Sequence, residues 1–149
     1  MNYINDNKLS VTDLFFNTFV NILRAEKKML SNSEYNDLSP KDLHLIHLIG
    51  KMGTITVSNL ASSVGTTKST ITKSINILFK KGYVIRRRNL SDRRYVYISL
   101  SKKGITLFNI NDKFHDQIIN KLLEEFNERE KEKFKNGILS INTELVNHH

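Results

Sequence analysis

Cysteine is absent from the 149-residue chain, which excludes disulfides, zinc–thiolate sites and thiol-based redox sensing. Proline occurs once and glycine six times, and no linker, internal repeat or low-complexity tract is visible. No apolar run approaches the roughly eighteen residues of a membrane span. The opening Met1-Asn2-Tyr3-Ile4-Asn5-Asp6 lacks the basic-then-apolar order of a secretion signal. The expectation is a soluble, cytoplasmic protein with no membrane partner. A phosphate-cradling glycine loop and a paired nucleophile and base are also missing, so an enzyme is not expected.

Acidic residues are scarce in one stretch above all. From Thr66 to Lys103 there are eleven Lys and Arg, and Asp92 is the single acid, a net of +10 in 38 residues. The other 111 residues carry 12 Lys and Arg against 14 acids, a net of −2. A solvated surface usually mixes signs, so a one-sign block on a folded segment points to a polyanion.

What is present reads as helices with one β-rich interruption. Val11, Phe15, Phe19 and Ile22 recur at helical spacing, with Leu14, Phe16, Val20 and Leu23 beside them, so the first helix is apolar over a broad stripe. Ser39-Pro40-Lys41-Asp42 opens a second, with Ser39 as N-cap and Pro40 at the first helical position. Val57, Leu60, Ala61 and Val64 form one face of a short third helix. Gly65 supplies a turn, Thr66 or Thr67 caps the next helix, and Ile71, Ile75 and Leu78 line its inner face. Two short helices around a tight glycine turn make a helix-turn-helix. Tyr83–Arg87 and Tyr95–Leu100 read as strands, the second alternating Val96, Ile98 and Leu100 with polar or aromatic neighbours. Arg88 to Arg94 form the basic tip between them. Ser101 caps a long helix, and Asn127-Glu128-Arg129-Glu130 resembles a capping box opening the last one.

The candidate recognition helix turns Ser69, Thr70, Thr72, Lys73 and Asn76 outward, with Thr66, Thr67 and Lys68 at its start. Short hydrogen-bonding side chains and one cation suit base edges and phosphates in a major groove; the bland alternative is an ordinary polar helix face. At the tip, with Arg88 beside them, Arg93 and Arg94 suit a narrow, electronegative minor groove. Asp92 would repel phosphate, and has a physical reason to be there if it holds an arginine by a charge-assisted bond. The bland alternative is a solvated tip with an incidental ion pair. RNA readers usually offer an aromatic stacking surface, for which Tyr95 and Tyr97 are the only comparable pair. Membrane-surface helices set cations opposite an apolar face, whereas here they cluster on a hairpin. Duplex DNA is the partner that fits.

Asp92-x-Arg94 followed by Leu100-Ser101-Lys102-Lys103-Gly104 resembles the wing signature of the MarR family, with Ser101 where threonine is usual. Leu78, then Lys81-Gly82-Tyr83-Val84, resembles that family's passage from recognition helix into wing, and the resemblance covers nearly the whole chain. It implies a mainly α fold with a small antiparallel β-wing, a winged helix-turn-helix in a dimeric MarR-like architecture. Residues 1–149 would form a single domain, with 1–36 and 104–149 as dimerisation helices and 37–103 as the DNA-binding lobe. The implied partners are a second copy of the chain and a pseudo-palindromic duplex operator. The arginine matching Arg94 enters the minor groove in this family, and the aspartate matching Asp92 orients it.

Leu43-His44-Leu45-Ile46-His47-Leu48-Ile49-Gly50-Lys51 and Phe114-His115 are most similar to the subgroup that represses fatty-acid-synthesis genes. That resemblance implies no bound cofactor but an acyl chain on acyl carrier protein as corepressor. The residues permit it: Phe15, Phe16, Phe19, Leu23, Leu107, Phe108, Phe114 and Ile118, with Leu14 and Ile110, can line a channel between the first and fifth helices. They can equally fill an ordinary core and dimer interface. His44, His47 and His115 likewise leave two readings, zinc sensing as in some members of the family or buried and interfacial imidazoles. Without a His pair four residues apart or a cysteine, no metal site is assigned.

Overall fold

Local chemistry sets where the helices start. The computed structural model describes residues 9–88 and 95–147. These form α1 (Val11–Ser31), α2 (Pro40–Met52), β1 (Ile55–Thr56), α3 (Val57–Val64), α4 (Lys68–Lys80), β2 (Val84–Arg88), β3 (Val96–Leu100), α5 (Lys102–Leu123) and α6 (Glu128–Asn147). At α2, the Asp42 N–H donates to Ser39 Oγ at 3.2 Å and the Ser39 N–H donates to Asp42 Oδ2 at 3.0 Å. Ser10 with Asp13 and Asn127 with Glu130 repeat this reciprocal box at α1 and α6. Each satisfies donors that have no partner inside the helix and is worth about 0.5–2 kcal/mol.

The first compact unit runs over residues 1–111. Its core joins Leu43, Ile46 and Ile49 of α2 to Leu60 of α3, to Ile71, Ile75 and Leu78 of α4, and to Ile98 of β3. Full burial of each contributes roughly 1.5–3 kcal/mol. β3 lies between β1 and β2, antiparallel to both, with Ile98 opposite Ile55 on one side and Arg86 on the other. Tyr83 and Tyr95, expected in the strands, stand just before β2 and β3; the Tyr83 side chain is fully buried and Tyr95 is exposed.

Tyr83 is tied to a segment that the periodicity left unassigned. Between α1 and α2, Tyr35 and Leu38 turn into the core, and the Tyr35 and Tyr83 rings lie 6.3 Å apart. Tyr83 Oη donates to Asp37 Oδ1 at 2.8 Å. Burial, then the Asp37 carboxylate, push the Tyr83 phenol far above its usual range. Lys81 Nζ donates to the Asp37 backbone carbonyl.

The start of α5 explains the Leu100-Ser101-Lys102-Lys103-Gly104 run. Ser101 Oγ accepts the Gly104 N–H at 3.1 Å and donates to the Gly82 carbonyl at 2.6 Å, and the Ser101 N–H donates to the Tyr83 carbonyl at 2.9 Å. A Cβ at Gly104 would lie 2.1 Å from that same Tyr83 oxygen, so only glycine lets the helix approach so closely.

The second unit, residues 112–149, holds the end of α5 and α6. Here Phe126 meets Phe134 edge-on at 6.2 Å. The division falls inside α5. The reason is packing: Leu30 of α1 and Leu107 of α5 are buried in the same core as α2, α3 and α4.

Candidate nucleic-acid interface

Helix α3 ends on Gly65 in the left-handed conformation, φ 68°, with its N–H bonded to the Ser62 carbonyl and the Thr66 N–H to that of Ala61. This turn fixes the angle at which α4 leaves, and Thr67, not Thr66, caps it: Thr67 Oγ1 accepts the Thr70 N–H at 3.2 Å. With Ile71, Ile75 and Leu78 buried, Lys68, Ser69, Thr72, Lys73 and Asn76 face outward and Thr70 is half-buried. Several of these groups are already engaged. The Thr67 and Thr70 hydroxyls bond each other at 2.9 Å, and Thr72 Oγ1 donates to the Lys68 carbonyl at 2.7 Å. Lys68, Ser69 and Lys73 are the outward side chains of this face available to meet a base edge or a phosphate.

The helix starts carry a second signal. Acids occupy the first turns of α1, α2 and α6, at Asp13, Asp42, Glu128 and Glu130. None occupies the first turn of α3, α4 or α5; α3 and α4 are capped by the neutral Thr56 and Thr67, and α4 and α5 begin on Lys68 and Lys102. A helix N-terminus is a positive pole with unpaired N–H groups. The starts of α3 and α4, within the helix-turn-helix, carry no acid that would repel a phosphate, and the start of α5 shares this.

Along β2, Arg87 and Arg88 are exposed and Arg86 is half-exposed. Arg86 did not figure among the sequence candidates. It donates through Nη2 to Asn76 Oδ1 and lies over the Phe79 ring, its Cζ 5.0 Å from the centroid. The period of two counted from buried Val84 would have revealed it, because that spacing places Arg86 on the face turned to α4. Asp92, Arg93 and Arg94 lie outside the described residues.

Of the eight residues expected to line a channel, six lie in the first unit and two, Phe114 and Ile118, in the second. Phe15, Phe16, Phe19 and Leu23 stand exposed on α1, at 65%, 64%, 54% and 42%. Leu107 is a core residue with no exposure. Phe108 packs against Gly50 and His47, its ring 5.7 Å from the imidazole. It borders a cleft of about 300 Å³ with Ile49, Thr54, Leu100 and Ile105. In the second unit Phe114 meets His115 edge-on at 5.5 Å, and Ile118 is half-buried. His44 is exposed, and among the described residues no three His, Asp or Glu side chains come together as a metal site. No helix among them is long and apolar enough to cross a membrane.

Comparison with known proteins agrees with this geometry. The MarR family pattern matches residues 38–96. The transcriptional regulator SarZ of Staphylococcus haemolyticus is 31% identical over 105 residues, 70% of this chain and 71% of its own length. YwhA of Bacillus subtilis, an uncharacterized helix-turn-helix-type regulator, is 29% identical over 60% of this chain and 65% of its own. In three dimensions the chain is similar to Streptococcus pneumoniae FabT in complex with DNA, with TM-score 0.82 and 30% identity over 93% of this chain and 97% of that one. The chain belongs to the MarR family of DNA-binding transcriptional regulators.

Proposed function

We propose that the protein is a homodimeric repressor that grips a pseudo-palindromic duplex operator, controls fatty-acid-synthesis genes, and takes an acyl chain on acyl carrier protein as corepressor. The observation that carries operator binding is the α3–α4–β2 surface, basic and with both helix starts bare of acids. Similarity to FabT, a protein seen bound to DNA, supports it, as does the sequence resemblance to fatty-acid repressors. Exposed apolar faces on α1 (Phe15, Phe16, Phe19) and on α6 (Ile138, Ile141, Leu145) support a second copy, since such faces on a lone chain invite aggregation. Arg94 enters the minor groove in this reading, oriented by Asp92. Replacing Arg94 by Ala then weakens operator binding by about 1–3 kcal/mol without unfolding the lobe.

A corepressor shifts DNA affinity only by its differential affinity for the DNA-competent shape, typically about 1–3 kcal/mol. Burial of an acyl chain at about 0.8 kcal/mol per methylene supplies ample energy. The test is sedimentation together with titration of operator binding by acylated carrier protein, unacylated carrier protein and zinc. A dimer whose operator affinity rises with acyl-chain length is expected. A monomer at micromolar concentration, still binding its operator one-to-one, overturns the dimer. No response to acylated carrier protein overturns the corepressor. A second reading, a small lipophilic effector, is favoured by the cleft beside Phe108, whose volume of about 300 Å³ is at the small end for ligand sites.

A further inference from the structure

Val84, Arg86 and Arg88 share one face of β2, because side chains alternate along a strand. Val84 on that face is buried, so Arg86 is directed to α4. There its guanidinium donates through Nη2 to Asn76 Oδ1 and rests over the Phe79 ring, 5.0 Å from Cζ to centroid. Asn76 and Phe79, three residues apart, are neighbours on one helix face. Phe79 is 48% exposed for an aromatic ring beside a basic strand, and the stacked cation gives that exposure a purpose. A guanidinium has five N–H donors, and one is used on Asn76. With the Asn76 carbonyl engaged, its NH2 group offers two more. What the pair still presents is a set of donors beside a fixed positive charge, the chemistry that meets a phosphodiester oxygen.

Position favours a phosphate over a base. Asn76 lies eight residues beyond Lys68, the first residue of α4, or about 12 Å along the axis at 1.5 Å per residue. Recognition helices place their N-terminal residues on base edges, and the major groove is about 12 Å wide. On a helix docked by its N-terminal end, Asn76 would stand toward the rim of the groove, where a sugar–phosphate strand runs.

We propose that Arg86 and Asn76 form a composite phosphate clamp, with Phe79 as its floor, that fixes the register of α4 on DNA and carries no sequence information. The proposal rests on the operator-binding reading above. It separates Asn76 from Ser69 and Lys73, which remain the base-edge candidates.

The test compares the full-length protein with Arg86→Ala, Arg86→Lys, Asn76→Ala and the double alanine variant. Each is titrated with a promoter duplex that the parent protects and with a scrambled duplex of equal length, between 50 and 200 mM salt. A thermal melt confirms that the exposed substitutions keep the fold. Arg86→Ala is expected to lose about tenfold on both duplexes, the worth of a charged hydrogen bond. It should also lower the slope of log affinity against log salt by about 0.9, the loss of one phosphate contact. Asn76→Ala should weaken both duplexes equally, and the double variant should lose little beyond Arg86→Ala. Arg86→Lys should keep the slope and lose affinity, because one ammonium cannot serve Asn76 and a phosphate as a fork does. An unchanged slope in Arg86→Ala overturns the clamp, and so does loss of operator preference in Asn76→Ala. A parent that protects no promoter duplex overturns the operator-binding reading and the clamp with it.

Discussion

Replacing Gly104 by Ala tests whether the close approach of α5 to the base of the wing is the reason for the Leu100-to-Gly104 run. The added Cβ would lie 2.1 Å from the Tyr83 carbonyl oxygen and 3.3 Å from Leu100 Cβ, against an ordinary contact of 3.4 Å or more. The oxygen has little room to retreat. It accepts the Ser101 N–H at 2.9 Å, and Ser101 is itself tied to the Gly82 carbonyl. Relief requires α5 to move off the hairpin. Overpacking of this kind costs about 1–3 kcal/mol, and weakening the Ser101 bond adds about 1 kcal/mol. The preference of a helix for alanine over glycine returns at most about 1 kcal/mol. Strain wins, and a net loss of about 1–3 kcal/mol is expected, a drop of roughly 2–12 °C in Tm for a chain of this length. Gly137 in α6 is the contrast: no atom of the same chain lies within 4 Å of a Cβ built there, so in the single chain Gly137→Ala should stabilise by about 0.5–1 kcal/mol. Urea unfolding followed by circular dichroism measures both. A Gly104→Ala variant as stable as its parent would refute the reasoning.

Tyr83→Phe removes the hydrogen bond to Asp37 and should cost about 0.5–1.5 kcal/mol in urea unfolding; an unchanged midpoint would deny the bond. The same residue sets an alkaline limit. The folded phenol titrates well above the ordinary value near 10 at which the unfolded one loses its proton. Its contribution is therefore complete below pH 10 and is lost as pH rises toward the folded value. Stability followed from pH 9 upward should fall in the parent and fall less in Tyr83→Phe; parallel curves would reject the assignment. Ser39→Ala removes the α2 capping box and should lower the urea midpoint by the equivalent of about 1 kcal/mol without changing the slope. Ile75→Ala, at a fully buried position of α4, should cost about 2–5 kcal/mol, and a loss below 1 kcal/mol would place Ile75 outside the core.

Features decided within four residues were legible in the sequence. The N-cap at Ser39 and the box at Asn127 are legible because donor and acceptor are three positions apart. The inner face of α4 read correctly because Ile71, Ile75 and Leu78 repeat at helical spacing. Features made by distant partners were not legible. Tyr35 and Leu38 belong to no periodic run, and their burial depends on Tyr83 arriving from 45 or so residues away. Leu107 sits at a position that periodicity calls apolar, but spacing cannot say whether an apolar face meets a core, a ligand or a second chain. Arg86 was hidden differently, inside a run of three arginines that reads as generic charge until the buried Val84 fixes the phase of the strand.

Those distant contacts converge on the short passage from α4 into β2, and that has a mechanical consequence. Gly82 has φ 80° and would by itself be a hinge, since glycine adopts such backbone at little cost. On both sides of it the chain is fastened. Lys81 donates to the Asp37 carbonyl, Tyr83 to the Asp37 carboxylate, Ser101 to the Gly82 carbonyl, and Arg86 to Asn76. Lys103 also lies 4.1 Å above the Tyr83 ring. Four bonds and a cation–π contact brace the turn between α4 and β2, and one of them, Arg86 to Asn76, joins the two elements directly. A phosphate held by Arg86 and Asn76, as proposed, would then place Ser69 and Lys73 along the groove as well.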